Sequence, residues 1–314
     1  MAKVQYLKST NHKERLWEEV LEEFILIKKT EGRAWRTIND YRDHVGRFFK
    51  RYPQAWLSEA EQRGCLLQHL NRGVGATAYN LDLGYIKLFL DYCVELGVFE
   101  ENIAKKFKKR RTSSRIVNIP IDILKKLIEQ PDLKSYAGYR DYTLILLTLD
   151  CGIRPNEALT LLLKDIDVKG KEIHVQAENA KTRVARTLPI SDHTAKSLQK
   201  LMDSRSEEWD ETIPVFCSWT GGQMDASSWR WRLIRYSDQL GHKISPYDLR
   251  HAFALNFLRN GGNVFALQRI MGHTDLSMTR RYIALTEGDI QGQHQKASPV
   301  NEFLKTAKRT TRIK

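Results

Sequence analysis

The sequence predicts a mainly α protein in two parts: an all-helical bundle, then an α+β domain dominated by helices that carries a small antiparallel sheet. Three observations predict it. Apolar residues recur at spacings of three and four through residues 14–104. A basic run, Lys105-Lys106-Phe107-Lys108-Lys109-Arg110-Arg111, then interrupts that pattern, and three short alternating segments lie between residues 166 and 190. The first pattern marks helices with one apolar face, the second a linker, the third strands. A length of 314 residues agrees with two domains. The boundaries expected are 14–107 for the bundle, 108–118 for the linker, 119–290 for the second domain and 291–314 for a C-terminal segment.

In the bundle, Leu16, Val20, Leu21, Phe24 and Ile27 share one helical face. Thr37 with Asp40 resembles an N-cap region, and Tyr41, Val45, Phe48 and Phe49 continue that helix. Thr77 opens the clearest helix, with Leu81, Tyr85, Ile86, Phe89, Leu90 and Cys93 on one face and Gly97 as its stop. After the linker, Ile119-Pro120-Ile121-Asp122 starts a helix with an acidic first turn. Leu144, Ile145, Leu147 and Leu149 belong to a buried helix that ends at Cys151-Gly152, and Arg154-Pro155 opens the next. Ile166-Asp167-Val168, Glu172-Ile173-His174-Val175 and Arg186-Thr187-Leu188-Pro189-Ile190 are the strands, with Gly170 in a turn.

Charge narrows the partner. Lys and Arg total 51 against 38 Asp and Glu, a formal +13. That excess suits a polyanion, nucleic acid ahead of membrane. No apolar run approaches the ~20 residues that span a bilayer. Met1-Ala2-Lys3-Val4-Gln5-Tyr6 lacks a signal-peptide pattern. Cys65, Cys93, Cys151 and Cys217 are scattered without a C-x-x-C pair, which reads as reduced, mostly buried thiols of a cytoplasmic protein and not as disulfides or a zinc site. There is no G-x-x-x-x-G-K-[ST] motif, and neither a metal nor any other cofactor is expected.

The chemistry concentrates in ordered motifs. Gly152-Ile153-Arg154-Pro155-Asn156-Glu157 puts an arginine at a helix mouth, with an acid three residues on to orient a neighbour. Lys181 lies in Ala180-Lys181-Thr182-Arg183 between two strands. Then come Tyr247-Asp248-Leu249-Arg250-His251, Met271-Gly272-His273 and Thr279-Arg280-Arg281-Tyr282. Two arginines can grip one phosphodiester, a lysine can supply a proton, a histidine one more donor and a tyrosine the nucleophile.

In order and spacing this set resembles the tyrosine recombinases, or phage integrase family, over roughly residues 14–304. The resemblance implies a SAM-like core-binding domain ahead of the catalytic domain, with no separate arm-binding domain before residue 14. It makes Arg154 and Arg250 the catalytic arginines, Glu157 the acid that buttresses the first, His273 a phosphate donor and Tyr282 the nucleophile. Lys181 falls where the family has its hairpin lysine, the general acid; Arg183 is the rival if the register slips, and otherwise a DNA contact. The family's usual histidine three residues before the second arginine is here Tyr247. A phenol, with its ordinary pKa of about 10, is no imidazole base near neutral pH, but it can donate a hydrogen bond to a phosphate oxygen. Tyr247 therefore helps hold charge, proton removal is left partly to other groups, and Tyr247 is itself a rival nucleophile. His251 is expected to support the helix start or hydrogen-bond in the core.

DNA contacts are expected from Arg36, from Lys108, Lys109 and Arg110 of the linker, and from Arg230, Arg232 and Arg235 on one helix, which either read guanine or touch phosphate. Arg33, Arg42, Arg47 and Lys87 are further candidates in the bundle. Val300, Phe303 and Leu304 form an apolar edge that, by resemblance, docks onto a neighbouring subunit. A homotetramer on two DNA sites follows from that exchange, with an accessory DNA-bending or directionality factor as a further partner. The activity implied is site-specific recombination of double-stranded DNA, for integration or excision of a mobile element. Resolution of a transposon or chromosome dimer uses the same chemistry; a non-recombining regulator and a type IB topoisomerase are the readings from other classes.

Overall fold

The computed structural model describes residues 15–112, 118–178, 184–283, 294–295 and 297–303. The chain divides into two compact units, Met1–Ser114 and Arg115–Lys314. The protein is mainly helical with one three-stranded antiparallel sheet.

The first unit is built on α1 (Trp17–Thr30), α2 (Trp35–Arg51), α3 (Glu59–Leu70) and α4 (Ala76–Glu95). Val20, Phe24, Phe48, Phe49, Leu66, Ile86, Phe89 and Leu90 form its core. Phe89 meets Phe24 and Phe49 edge-on at 5.7 and 5.8 Å, the arrangement favoured by ring quadrupoles. Truncating such a ring costs about 3–5 kcal/mol.

Three expectations need correction here. Leu16 is the N-cap of α1 and 62% exposed, outside the buried face. α2 begins at Trp35 with Ala34 as its cap, so Thr37 already lies in the first turn. Leu81 is exposed: the face of α4 that buries runs Tyr79, Asp82, Leu83, Ile86, Phe89, Leu90 and Cys93, and Leu81 is about two residues out of phase with it. Gly97, at φ 77°, closes α4 through a bond from Val98 N to Cys93 O.

The start of the basic segment is held to α4. Tyr79 Oη donates to Lys108 O, Asn80 exchanges two 2.8 Å bonds with the Arg110 backbone, and the Arg110 guanidinium lies 4.1 Å from the Tyr79 ring centre.

The second unit contains α5 (Ile121–Ile128), α6 (Tyr136–Cys151), α7 (Pro155–Leu159), β1 (Ile166–Asp167), β2 (Glu172–Val175), β3 (Arg186–Pro189), α8 (Asp192–Asp203), α9 (Ala226–Asp238), α10 (Pro246–Arg259), α11 (Val264–Met271), α12 (Leu276–Ile283) and α13 (Pro299–Phe303). The sheet order is β1-β2-β3, with Ile173 opposite Leu188 and Val175 opposite Arg186. α6 is central: Leu144, Ile145 and Leu147 pack with Leu188, Leu198, Trp229 and Leu249 in the main core. A satellite cluster of Phe253, Ala254, Leu255, Leu267, Met271 and Tyr282 joins α10, α11 and α12. All four cysteines are free and buried. Among the described residues no helix is long and apolar enough to cross a membrane.

Candidate active site

The site grows from the end of α6. Gly152 turns the chain at φ 61°, and a Cβ there would lie 2.2 Å from the Phe253 ring, so a side chain is excluded by both strain and space. Two residues on, Arg154 caps α7 ahead of Pro155. Glu157 bonds back to the Arg154 backbone N at 3.1 Å and accepts from the Arg154 guanidinium at 2.9 Å. Both side chains are nearly sealed from solvent.

A third residue completes this pair, and sequence reasoning missed it. Arg186, the first residue of β3, donates to both Glu157 oxygens at 3.1 and 2.6 Å. The signal was present in the strand pattern. Arg186 shares a face with the buried Leu188 and opposes the buried Val175, so it is a charge pointing inward.

The three guanidiniums meet at one place. α11 ends at Met271, with Gly272 in the left-handed region at φ 59°. Arg186 Nε donates to Ile270 O at 3.1 Å, Arg250 Nη2 to Met271 O at 2.5 Å, and Arg154 Nη2 to Gly272 O at 2.9 Å. Helix C-termini leave such carbonyls unpaired and carry partial negative charge, which favours cations there. Arg250 also donates to Gly152 O, closing a ring from the first motif to the last. It sits on α10, which Ser245 and Asp248 cap through bonds of 2.8 and 2.6 Å.

Three guanidiniums against one carboxylate leave an excess of positive charge in a buried place. Burial would push the Glu157 carboxyl up, but hydrogen bonds and charge from Arg186 and then Arg154 hold it below the usual range. Burial, followed by the charge of Arg154, pulls Arg250 down to about 10. A site that strains its own cations in this way favours an incoming anion.

Beyond Gly272 the chain reverses into His273 and α12. His273 Nδ1 pairs with Thr279 Oγ1 at 2.9 Å, which orients the imidazole and ties it to α12. Tyr282, also on α12, is 3% exposed, and its hydroxyl lies 2.6 Å from His251 Nδ1. His251 follows Arg250 directly on α10, so Arg154, Glu157, Arg250, His251, His273 and Tyr282 belong to one connected group.

Other candidates are exposed, engaged elsewhere or outside the described residues. Tyr247, in the first turn of α10, is 52% exposed. Lys181 and Arg183 lie outside the described residues, as do Leu304 and the basic C-terminal tail. Arg36 is exposed and 3.7 Å from Asp40. Lys108 and Lys109 are exposed, while the Arg110 guanidinium is stacked on Tyr79. On α9, Arg230 and Arg235 are exposed; Arg232 instead reaches inward to the buried Asp141, which also accepts from Tyr236 at 2.8 Å and from Arg140. The expected arginine face of α9 is thereby reduced by one.

The model of the phage integrase family matches residues 119–288. The sequence is 27% identical over 226 residues to the tyrosine recombinase XerC of Myxococcus xanthus, spanning 69% of this chain and 74% of that protein. The fold is similar to that of a lambda integrase tetramer bound to a Holliday junction, with a TM-score of 0.68 at 15% identity over 87% of this chain and 83% of the other. It is likewise similar to the Tn1549 transposon integrase in complex with a circular intermediate DNA, with a TM-score of 0.66 at 18% identity over 84% and 94% of the two chains.

Proposed function

This chain belongs to the phage integrase family of tyrosine recombinases, enzymes that cut and rejoin DNA through a tyrosine intermediate, and we propose that Tyr282 is that tyrosine. Its hydroxyl attacks the scissile phosphorus, a 3′-phosphotyrosyl bond forms and a 5′-hydroxyl leaves. Arg154 and Arg250 hold the non-bridging oxygens, with His273 and Tyr247 as further donors. Removing one such preorganised donor typically costs ~10²–10³ in rate. Lys181 protonates the departing 5′-oxygen. A 5′-hydroxyl from a second duplex then reverses the step on a new partner. The phosphotyrosine conserves the bond energy, so no nucleotide is consumed.

One observation carries this reading: Arg154 and Arg250 donate to neighbouring carbonyls, Gly272 O and Met271 O, at the end of α11, immediately before His273 and beside the helix of Tyr282. A cationic excess buried there has no evident purpose in folding alone, since a pair of buried charges is rarely a net gain.

The biological role we infer is integration or excision of a mobile element, on specific sites in double-stranded DNA. Resolution of a transposon or chromosome dimer by the same chemistry is the alternative. Four protomers on two sites fit the likeness to the lambda integrase tetramer. α13 supports this: Val300 and Phe303 are 54% and 75% exposed, an apolar edge suited to a neighbouring subunit. A cytoplasmic, DNA-associated protein, aided by a DNA-bending or directionality factor, completes the proposal.

Covalent trapping tests it. Wild-type protein and Tyr282→Phe are incubated with nicked fragments of the DNA flanking the gene. A protease-sensitive adduct from wild type alone is expected, and sequencing its DNA distinguishes element ends from a single chromosomal site. Equal adduct from both proteins transfers the nucleophile to Tyr247; tight binding without adduct from any fragment favours a regulator.

A further inference from the structure

We infer that His251 is the catalytic base that takes the phenolic proton of Tyr282. The inference rests on the reading of Tyr282 as the nucleophile and supplies the proton acceptor that reading lacks.

The geometry is direct. His251 Nδ1 and Tyr282 Oη are 2.6 Å apart, inside the range required of a group that removes a proton. The ring centres are 5.7 Å apart with the planes tilted by 45°. With the proton on Nε2, Nδ1 is the acceptor and Tyr282 Oη the donor of this bond.

The surroundings make such an acceptor necessary. Tyr282 is packed with Phe253, Leu267 and Met271. A phenolate formed among these side chains, without a partner for its proton, is penalised by lost solvation. The side chain at 247 is a phenol and is exposed, whereas the imidazole at 251 already touches the reacting oxygen.

The backbone fixes this placement. Arg250 anchors its turn of α10 through Gly152 O and Met271 O, so the next residue has a set direction. α12 is fixed in turn by the bond between His273 and Thr279. One helix thus carries a phosphate-binding guanidinium and the base in consecutive positions, and the nucleophile arrives from the other.

The step balances. As the Tyr282 Oη–P bond forms and the P–O5′ bond breaks, the phenolic proton moves to His251 Nδ1 and O5′ receives a proton from Lys181. On rejoining, the attacking 5′-hydroxyl returns its proton to Lys181, and the departing Tyr282 oxygen recovers its own from the His251 imidazolium. No other reactant is needed.

The test uses the full-length protein and the nicked fragment that wild type attacks. His251→Gln keeps a polar side chain but cannot act as a base, and His251→Ala leaves room for added imidazole. Both are expected to cleave ~10²–10⁴-fold more slowly, the usual worth of a positioned base, while binding the same DNA with unchanged affinity. Imidazole in the buffer restores His251→Ala and leaves Tyr282→Phe inert. A duplex with a 5′-bridging phosphorothiolate, whose sulfur departs without a proton, leaves both His251 variants slow. Wild-type cleavage by His251→Gln, no response of His251→Ala to imidazole, or rescue by the phosphorothiolate overturns the assignment while leaving Tyr282 in place. Absence of an adduct from wild type on every fragment overturns the recombinase reading and this inference with it.

Discussion

Arg186 and Glu157 join through two hydrogen bonds, of 3.1 and 2.6 Å, although 29 residues separate them in sequence. The same carboxylate serves Arg154, so β3 supports a guanidinium it does not itself touch. Removing Arg186 leaves Glu157 with Arg154 alone, so the loss is that of hydrogen bonds between charged groups, about 1.5–3 kcal/mol. Arg186→Ala should therefore lower the urea midpoint and slow cleavage together. Arg186→Lys should recover only part of either, since an ammonium cannot reproduce the two-pronged fork. Wild-type urea midpoints in both variants would remove the support assigned to this pair.

Gly272 separates backbone strain from damage to the site. A Cβ at 272 would lie 3.2 Å from Arg186 Nε and 3.3 Å from Arg154 Nη1, whereas Gly261, also at positive φ, has nothing within 4 Å. An alanine in the left-handed region costs roughly 1–2 kcal/mol at either position. Gly272→Ala should lose cleavage well beyond its loss of stability; Gly261→Ala should lose stability alone. Adduct yield and melting temperature, measured on both, decide the matter.

The cationic excess predicts stabilisation by oxyanions. Sulfate at ten times its dissociation constant would add about 1.4 kcal/mol, enough to raise the melting temperature by a few degrees. Chloride at equal ionic strength should do less, and Arg250→Ala should abolish the difference. A sulfate effect that survives in the variant would place the anion elsewhere.

His69 sets an acid limit on the first unit. It is fully buried, packs edge-on against Phe48, and lies 3.8 Å from Asp82 through Nε2. Burial, then the charge of Arg72, pushes its pKa down to about 4. The unfolded chain takes up this proton near ~6.5 and the folded one does not, so the associated stability is complete above that pH and declines as pH falls towards the folded value, by about 3 kcal/mol in all. His69→Leu should make hydrogen–deuterium exchange in α2–α4 less sensitive to pH between 7.5 and 4.5. An unchanged sensitivity would assign the acid response to other groups.

The helices, the small sheet and most of the site group were legible because each depends on local spacing or an ordered motif. The core face of α4 shows where this reading slips: Leu81 belongs to the apolar count but not to the phase that Ile86 and Phe89 establish. Arg186 and Arg232 were illegible for another reason. Each is defined by a partner distant in sequence, Glu157 and Asp141; the alternation of β3 turns Arg186 inward, but no local pattern names the carboxylate that either guanidinium meets. The contact of His251 with Tyr282 is of the same kind, spanning 31 residues and depending on how α12 returns to α10.

That return has a consequence for mixed assemblies. On the proposed reading the guanidiniums of Arg154, Arg186 and Arg250, the imidazoles and the phenol of one centre belong to one chain, and a protomer lacking any of them is expected to gain no replacement from its neighbour. Combining Tyr282→Phe with Arg250→Ala protein should give no complementation, and wild type diluted with either variant should lose cleaved strands in simple proportion to the fraction of defective chains.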